Sequence, residues 1–109
     1  MQNSRPSVRG DVVTVPTRHG LEAVDILRRH HVAAVGPVLH DDRGGTLGFV
    51  VPTGTAERWN VPGSRCVHRA EGTDWLLPPA PDGLATDPAV LRRALSEAAR
   101  LIAAADSCQ

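Results

Sequence analysis

Five histidines, two cysteines and twelve arginines are the side chains of this 109-residue sequence best suited to chemistry. Cys66 and His68 stand two residues apart, so on a strand they share one face and offer two metal ligands. A structural zinc site needs four, and no second Cys or Cys/His pair is present apart from Cys108 near the C-terminus. The histidines, His19, His30, His31, His40 and His68, are therefore read as loop or surface residues, and no metal or other cofactor is expected. His40-Asp41-Asp42 sets a base beside two carboxylates, as acid-base catalysis or magnesium binding would require. Asp41-Asp42-Arg43-Gly44-Gly45 is also what a solvated hairpin turn needs, since Asp bonds its own backbone and Gly supplies positive φ, and the turn is preferred. Ser64 and Cys66 lack a nucleophile-elbow context, and burial in an apolar strand would raise the Cys66 thiol pKa. Neither of the common glycine-rich phosphate-binding motifs occurs. No catalytic residue is expected, and the chain is read as a protein that is not an enzyme.

The arginines allow a different chemistry. Arg58, Arg65, His68 and Arg69 fall close together in sequence, and Arg18 can join them from the first strand-to-helix turn. Guanidinium groups hold phosphates through forked, charge-assisted bonds, so this set is the candidate nucleotide or nucleic-acid face; a charged sheet rim in solvent is the competing reading. Trp59 and Trp75 can stack on bases. In a chain whose only other aromatic residue is Phe49, they serve better as core anchors.

Composition sets what must position these groups. Apolar residues make up 41% of the chain and charged residues 22%, an ordinary globular balance far from that of disordered chains. With so few aromatics the core has to be aliphatic, built from Val, Leu, Ile and Ala. All the basic residues are arginine, a bias that a GC-rich genome explains as well as function does. Net charge is zero; the excess of arginine at the N-terminal end and of acids after residue 70 is too mild to mark a nucleic-acid-binding protein by itself. The N-terminus does not resemble a secretory signal, so the thiols are expected to be free and the location cytoplasmic. No apolar run approaches the roughly 20 residues that span a bilayer.

Residues 1–10 read as a flexible leader, and 11–109 as a single domain. Asp11 to Pro16 has strand composition; Gly20 then opens a helix, Leu21 to His31, with Leu21, Val24 and Leu27 at helical spacing. The apolar segment after it becomes a strand only at its end, and the Asp41 to Gly45 turn joins it to the β-rich run Thr46 to Val51. Thr53 or Thr55 is placed to cap a short helical turn. Ser64 to His68 and Thr73 to Leu77 read as two short strands joined around Glu71-Gly72. Thr86 or Asp87 caps a C-terminal amphipathic helix with Pro88 in its first turn. Its apolar stripe contains Leu91, Leu95, Leu101 and Ile102, and Arg92, Arg93 and Arg100 lie opposite. That stripe docks on the sheet or on a second copy or another protein partner. The predicted fold is α+β: a small, mostly antiparallel sheet of four to five short strands packed against an N-terminal and a long C-terminal helix.

In this order the pieces DVVTVPTRHGLEAVDILRRH, GPVLHDDRGGTLGFVVPTGT and GSRCVHRAEGTDWLLPP resemble the later part of the primase-polymerase domain of the archaeo-eukaryotic primase superfamily, especially its divergent actinobacterial members. The resemblance covers roughly Gly10 to Pro81. It implies two metal-binding acids on the strand before the helix, where this chain has Thr14-Val15-Pro16. It implies a histidine after a Gly-rich hairpin, where Thr46 stands, and a third acid near Gly63 to Arg65, where there is none. Phosphoryl transfer uses metals to neutralise charge on the phosphates, and without these acids polymerisation is not expected. The resemblance therefore implies a degenerate, non-catalytic domain in a regulatory role. It would bind nucleotide or nucleic acid through Arg18, Arg58, Arg65, Arg69 and His68, or a protein partner through the C-terminal helix. The alternative is a homodimeric regulatory or assembly protein with no nucleic-acid role.

Overall fold

The computed structural model describes residues 10–30, 35–41, 44–67, 75–77 and 85–107. The elements are β1 (Asp11–Pro16), α1 (Thr17–His30), β2 (Val38–Asp41), β3 (Thr46–Val51), one 3₁₀ turn (Thr55–Glu57), β4 (Arg65–Val67), β5 (Trp75–Leu77) and α2 (Pro88–Ser107). The fold is α+β. The strands form one sheet in the order β4-β1-β3-β2-β5, and every neighbouring pair is antiparallel. Because β1 and β2 both run opposite to β3, they are parallel to each other. The chain therefore crosses through α1 and then returns by a hairpin to place β3 between them.

Strand alternation sorts the valines onto two faces. Val13, Val15, Leu47, Phe49, Val51 and Val38 face the helices, where Ala23, Val24, Ile26 and Leu27 of α1 and Leu91, Ala94, Leu95 and Ala98 of α2 complete an aliphatic core. Val12, Leu39 and Val50 are buried on the other face, with Ala85 against them. Burial on both faces explains why β3 reads as a continuous apolar run rather than an alternating one.

Several expectations change. The helix starts at Thr17, directly after Pro16, and Gly20 lies inside it. A Cβ on Gly20 would meet the Leu47 side chain at 2.7–3.0 Å, so the glycine is there for close helix-to-strand approach and not as a turn. Gly20→Ala is thus expected to destabilise the protein by about 1 kcal/mol in urea denaturation. The roughly 1 kcal/mol propensity gain of alanine is outweighed by overpacking against the fully buried Leu47. A stabilised variant would contradict this packing.

β4 and β5 do not pair with each other. β4 joins β1 and β5 joins β2, at opposite edges of the sheet. Pairing with β1 turns Cys66, the register partner of Val13, toward the helix-side core. In α2 the cap is Asp87, whose carboxylate accepts from the Ala89 amide at 2.9 Å. Thr86 is instead buried, its hydroxyl accepting from the Gly36 amide at 2.8 Å. The apolar stripe is narrower than the sequence implied, because Leu101 is 45% exposed.

Candidate functional site

The site starts from a buried acid. Asp11, the first residue of β1, is fully buried, and its Oδ2 accepts from the amides of Gly54 at 3.0 Å and Ala56 at 2.8 Å. These are donors at the start of the 3₁₀ turn, which has Gly54 at its N-cap position and no cap from its own side chains. Thr53 and Thr55, the expected caps, do not serve; the Thr55 hydroxyl donates to the Pro52 carbonyl instead. The cap arrives from another strand, and it fixes the turn that leads directly into Arg58 and Trp59.

Trp59 is half-buried against the core, and its Nε1 donates to Ser64 Oγ at 2.7 Å, while that hydroxyl donates to the Val61 carbonyl. The indole is held in one orientation, with the Arg92 guanidinium 6.0 Å from its ring centroid, near the outer limit of a cation–π contact. Between the 3₁₀ turn and the first two turns of α2 lies a groove of about 790 Å³, lined among others by Thr55, Glu57, Arg58, Trp59, Asp87, Arg92 and Arg93. This size suits a small-molecule ligand.

Three arginines and two acidic residues line this groove, one of the acids already engaged as the α2 cap. Arg18 and Arg29 are paired with Asp106 and Asp25, each at 2.8 Å, whereas Arg58, Arg92 and Arg93 form no ion pair among the described residues. The positive end of the α2 dipole adds to the same region.

No family model, curated protein or solved structure matches the chain.

A second concavity, of about 380 Å³ and more open, lies where β1 ends and β3 and β4 begin. Thr14–Pro16, Gly44–Thr46 and Gly63–Arg65 line it. Their side chains supply three hydroxyls and one guanidinium. Among the described residues, no three His, Cys, Asp or Glu side chains gather closely enough to hold a metal ion, and no helix is long and apolar enough to cross a membrane.

Among the described members of the expected arginine set, no two line the same concavity. Arg58 lies in the groove and Arg65 in the second concavity. Arg18 is bound to Asp106, fourteen residues beyond Arg92 along α2, about 21 Å at 1.5 Å per residue. The hydrogen bond between them raises the Arg18 pKa and holds the Asp106 carboxyl below the usual range. His68 and Arg69 lie outside the described residues, as does the side chain of Trp75. Leu91, Leu95 and Ile102 are buried within this chain, Leu91 and Leu95 in the core that α2 shares with α1 and the sheet; of the four partner-binding candidates only Leu101 is at the surface. His40, on β2, lines neither concavity.

Asp11, Arg92 and Arg93 are the site residues that the sequence did not reveal. Two arginines in the second turn of α2 and an aspartate in its last turn run against the helix dipole, and that local conflict is the available signal.

Cys66 behaves as its strand position implies. Burial, aided by the charge of Asp11, pushes its thiol up to about 11. At pH 8 that lowers the thiolate fraction about hundredfold, while the greater nucleophilicity of a more basic thiolate restores part of the loss. In a Cys108→Ser background, alkylation of Cys66 by iodoacetamide is expected to be about tenfold slower than that of an ordinary thiol, followed by mass spectrometry. A rate equal to that of a free thiol would refute the raised pKa.

Proposed function

We propose that this protein is a non-catalytic, primase-polymerase-like binding domain that takes a phosphate-bearing ligand, nucleotide or nucleic acid, in the groove between the 3₁₀ turn and α2. One observation carries the proposal: three arginines without ion-pair partners among the described residues converge there, beside an indole fixed by Ser64 and at the positive end of a helix. Keeping like charges together costs stability, and a bound anion offsets that cost. The non-catalytic part is supported by the second concavity, where Thr14–Pro16 and Gly63–Arg65 offer hydroxyls and a guanidinium where the resemblance implies acids, and Thr46 stands where it implies a histidine.

The homodimer alternative has less support. Three of its four proposed contact residues are buried within this chain, leaving Leu101 and Leu21 as the exposed large apolar residues on the helices among the described residues.

The test is titration of fluorescein-labelled oligothymidylate and a set of nucleotides at low salt. Saturable binding is expected, weakening with salt with a log–log slope near −2 for three neutralised single-strand phosphates, about −0.7 each. No binding of any of these probes at 20 mM salt would refute the proposal.

A further inference from the structure

We infer that the second concavity, at the ends of β1, β3 and β4, is an anion subsite adjoining the groove, so that the full ligand carries at least two phosphate groups. The inference deepens the groove proposal but stands on residues of its own. Thr14 and Arg65 are register partners, and cross-strand partners share a face; alternation places that face away from the helix-side residues Val13 and Val15. Arg65 is exposed and forms no ion pair among the described residues, and the Thr14 and Thr46 hydroxyls beside it have no hydrogen-bond partner there. A guanidinium with neutral hydroxyl donors suits a phosphate and repels a cation.

The backbone leaves room for such a ligand. Gly45 and Gly63 have φ of +64° and +80°, values that favour glycine, and, chain neighbours aside, no described residue comes within 4 Å of where a Cβ would stand on either. The two concavities adjoin at one hydrogen bond, since Trp59 lines the groove, Ser64 lines the second site, and the two side chains are bonded at 2.7 Å. A phosphate in one site cannot also occupy the other, so a ligand that fills both carries two separated phosphates and runs round the β4 edge of the sheet. Either the polyphosphate of a free nucleotide or the phosphodiester backbone of a strand supplies that chemistry.

Amide chemical shifts of the ¹⁵N-labelled full chain distinguish the cases, with inorganic phosphate, adenosine triphosphate and an eight-nucleotide oligothymidylate as probes and sodium chloride as the ionic-strength control. Phosphate is expected to move the amides of Thr46, Ser64 and Arg65 saturably, and Arg65→Gln to weaken that titration about tenfold, the loss of one charge-assisted contact. The groove amides of Arg58, Trp59 and Ala89 should respond in Arg65→Gln as in the parent, and unshifted core resonances verify that the variant is folded. If adenosine triphosphate moves both sets, the source is a free nucleotide; if only the oligomer does, it is a strand. If the groove responds to the probes while Thr46, Ser64 and Arg65 do not, the subsite is overturned and the groove proposal stands. Response confined to the subsite would overturn the groove proposal instead, and silence in both sets would overturn both.

Discussion

Asp11→Ala is expected to lower the unfolding free energy by about 3 kcal/mol and the melting temperature by 10 °C or more, read by urea and thermal denaturation. The side chain is a carboxylate with no exposure to water, and its burial is itself costly. Two amide bonds at 2.8 and 3.0 Å offset that cost. Alanine removes the charge but strands two donors at the start of the 3₁₀ turn, each losing a bond to a charged acceptor worth about 1.5–3 kcal/mol. The stranded donors outweigh the relief because the turn has no cap of its own. Asp11→Asn retains an acceptor oxygen and should cost about half as much. Since the turn carries Arg58 and Trp59 into the groove, the alanine variant should also bind phosphate-bearing ligands more weakly while still folded at low temperature. Unchanged stability in Asp11→Ala would mean that the carboxylate does not hold the turn.

Such a residue marks where sequence reading stopped. The α+β class, the strand at Asp11 to Pro16, the hairpin into β3 and the capped α2 were legible because each follows from a local pattern: valine-rich runs, a glycine-rich turn, an apolar stripe behind Asp-Pro. Asp11 sits 43 residues from the amide of Gly54 that it accepts from, and nothing local distinguishes it from a solvated strand terminus. Gly20 misled for a related reason. A glycine after a proline is the usual sign of a turn, yet here the deciding contact is with Leu47, across the helix-to-sheet interface. β4 and β5 were found as strands but wrongly paired, since sequence proximity favours a hairpin whereas the edges offered by β1 and β2 decided the topology.

The arginines show the same division. Their residue type gave the chemistry, phosphate recognition, but their grouping came from the fold. Arg18 is paired with Asp106 at the far end of α2, and two arginines read as the solvent side of that helix are exposed as expected and also line the groove. Asp106 near the C-terminus of a helix is unfavourable until a base meets it, and Arg18 from α1 does so. Arg92 and Arg93 at the opposite end have no such answer among the described residues. One half of the adverse charge pattern of α2 is thus resolved within the chain, and the other half is left facing a cavity.

Replacing both Arg92 and Arg93 with glutamine should therefore separate binding from stability. Each guanidinium makes charge-assisted contacts worth roughly tenfold in affinity, so the double variant should bind labelled oligothymidylate about hundredfold more weakly. Its log–log salt slope should become shallower by about 1.4, at 0.7 per lost phosphate contact. Arg28 and Arg100 are exposed on α1 and α2 and line neither concavity, so Arg28→Gln/Arg100→Gln removes the same net charge as a control. Stability should move the other way. Among the described residues Arg93 has no ring contact and no ion pair, and it stands toward the positive end of α2, so Arg93→Gln alone should be as stable as the parent or slightly more so. Stabilisation with loss of affinity is the mark of a residue kept for binding. If the control pair weakened binding as much as Arg92→Gln/Arg93→Gln, attraction would come from net charge spread over the whole surface, and the groove would lose its claim to be the site.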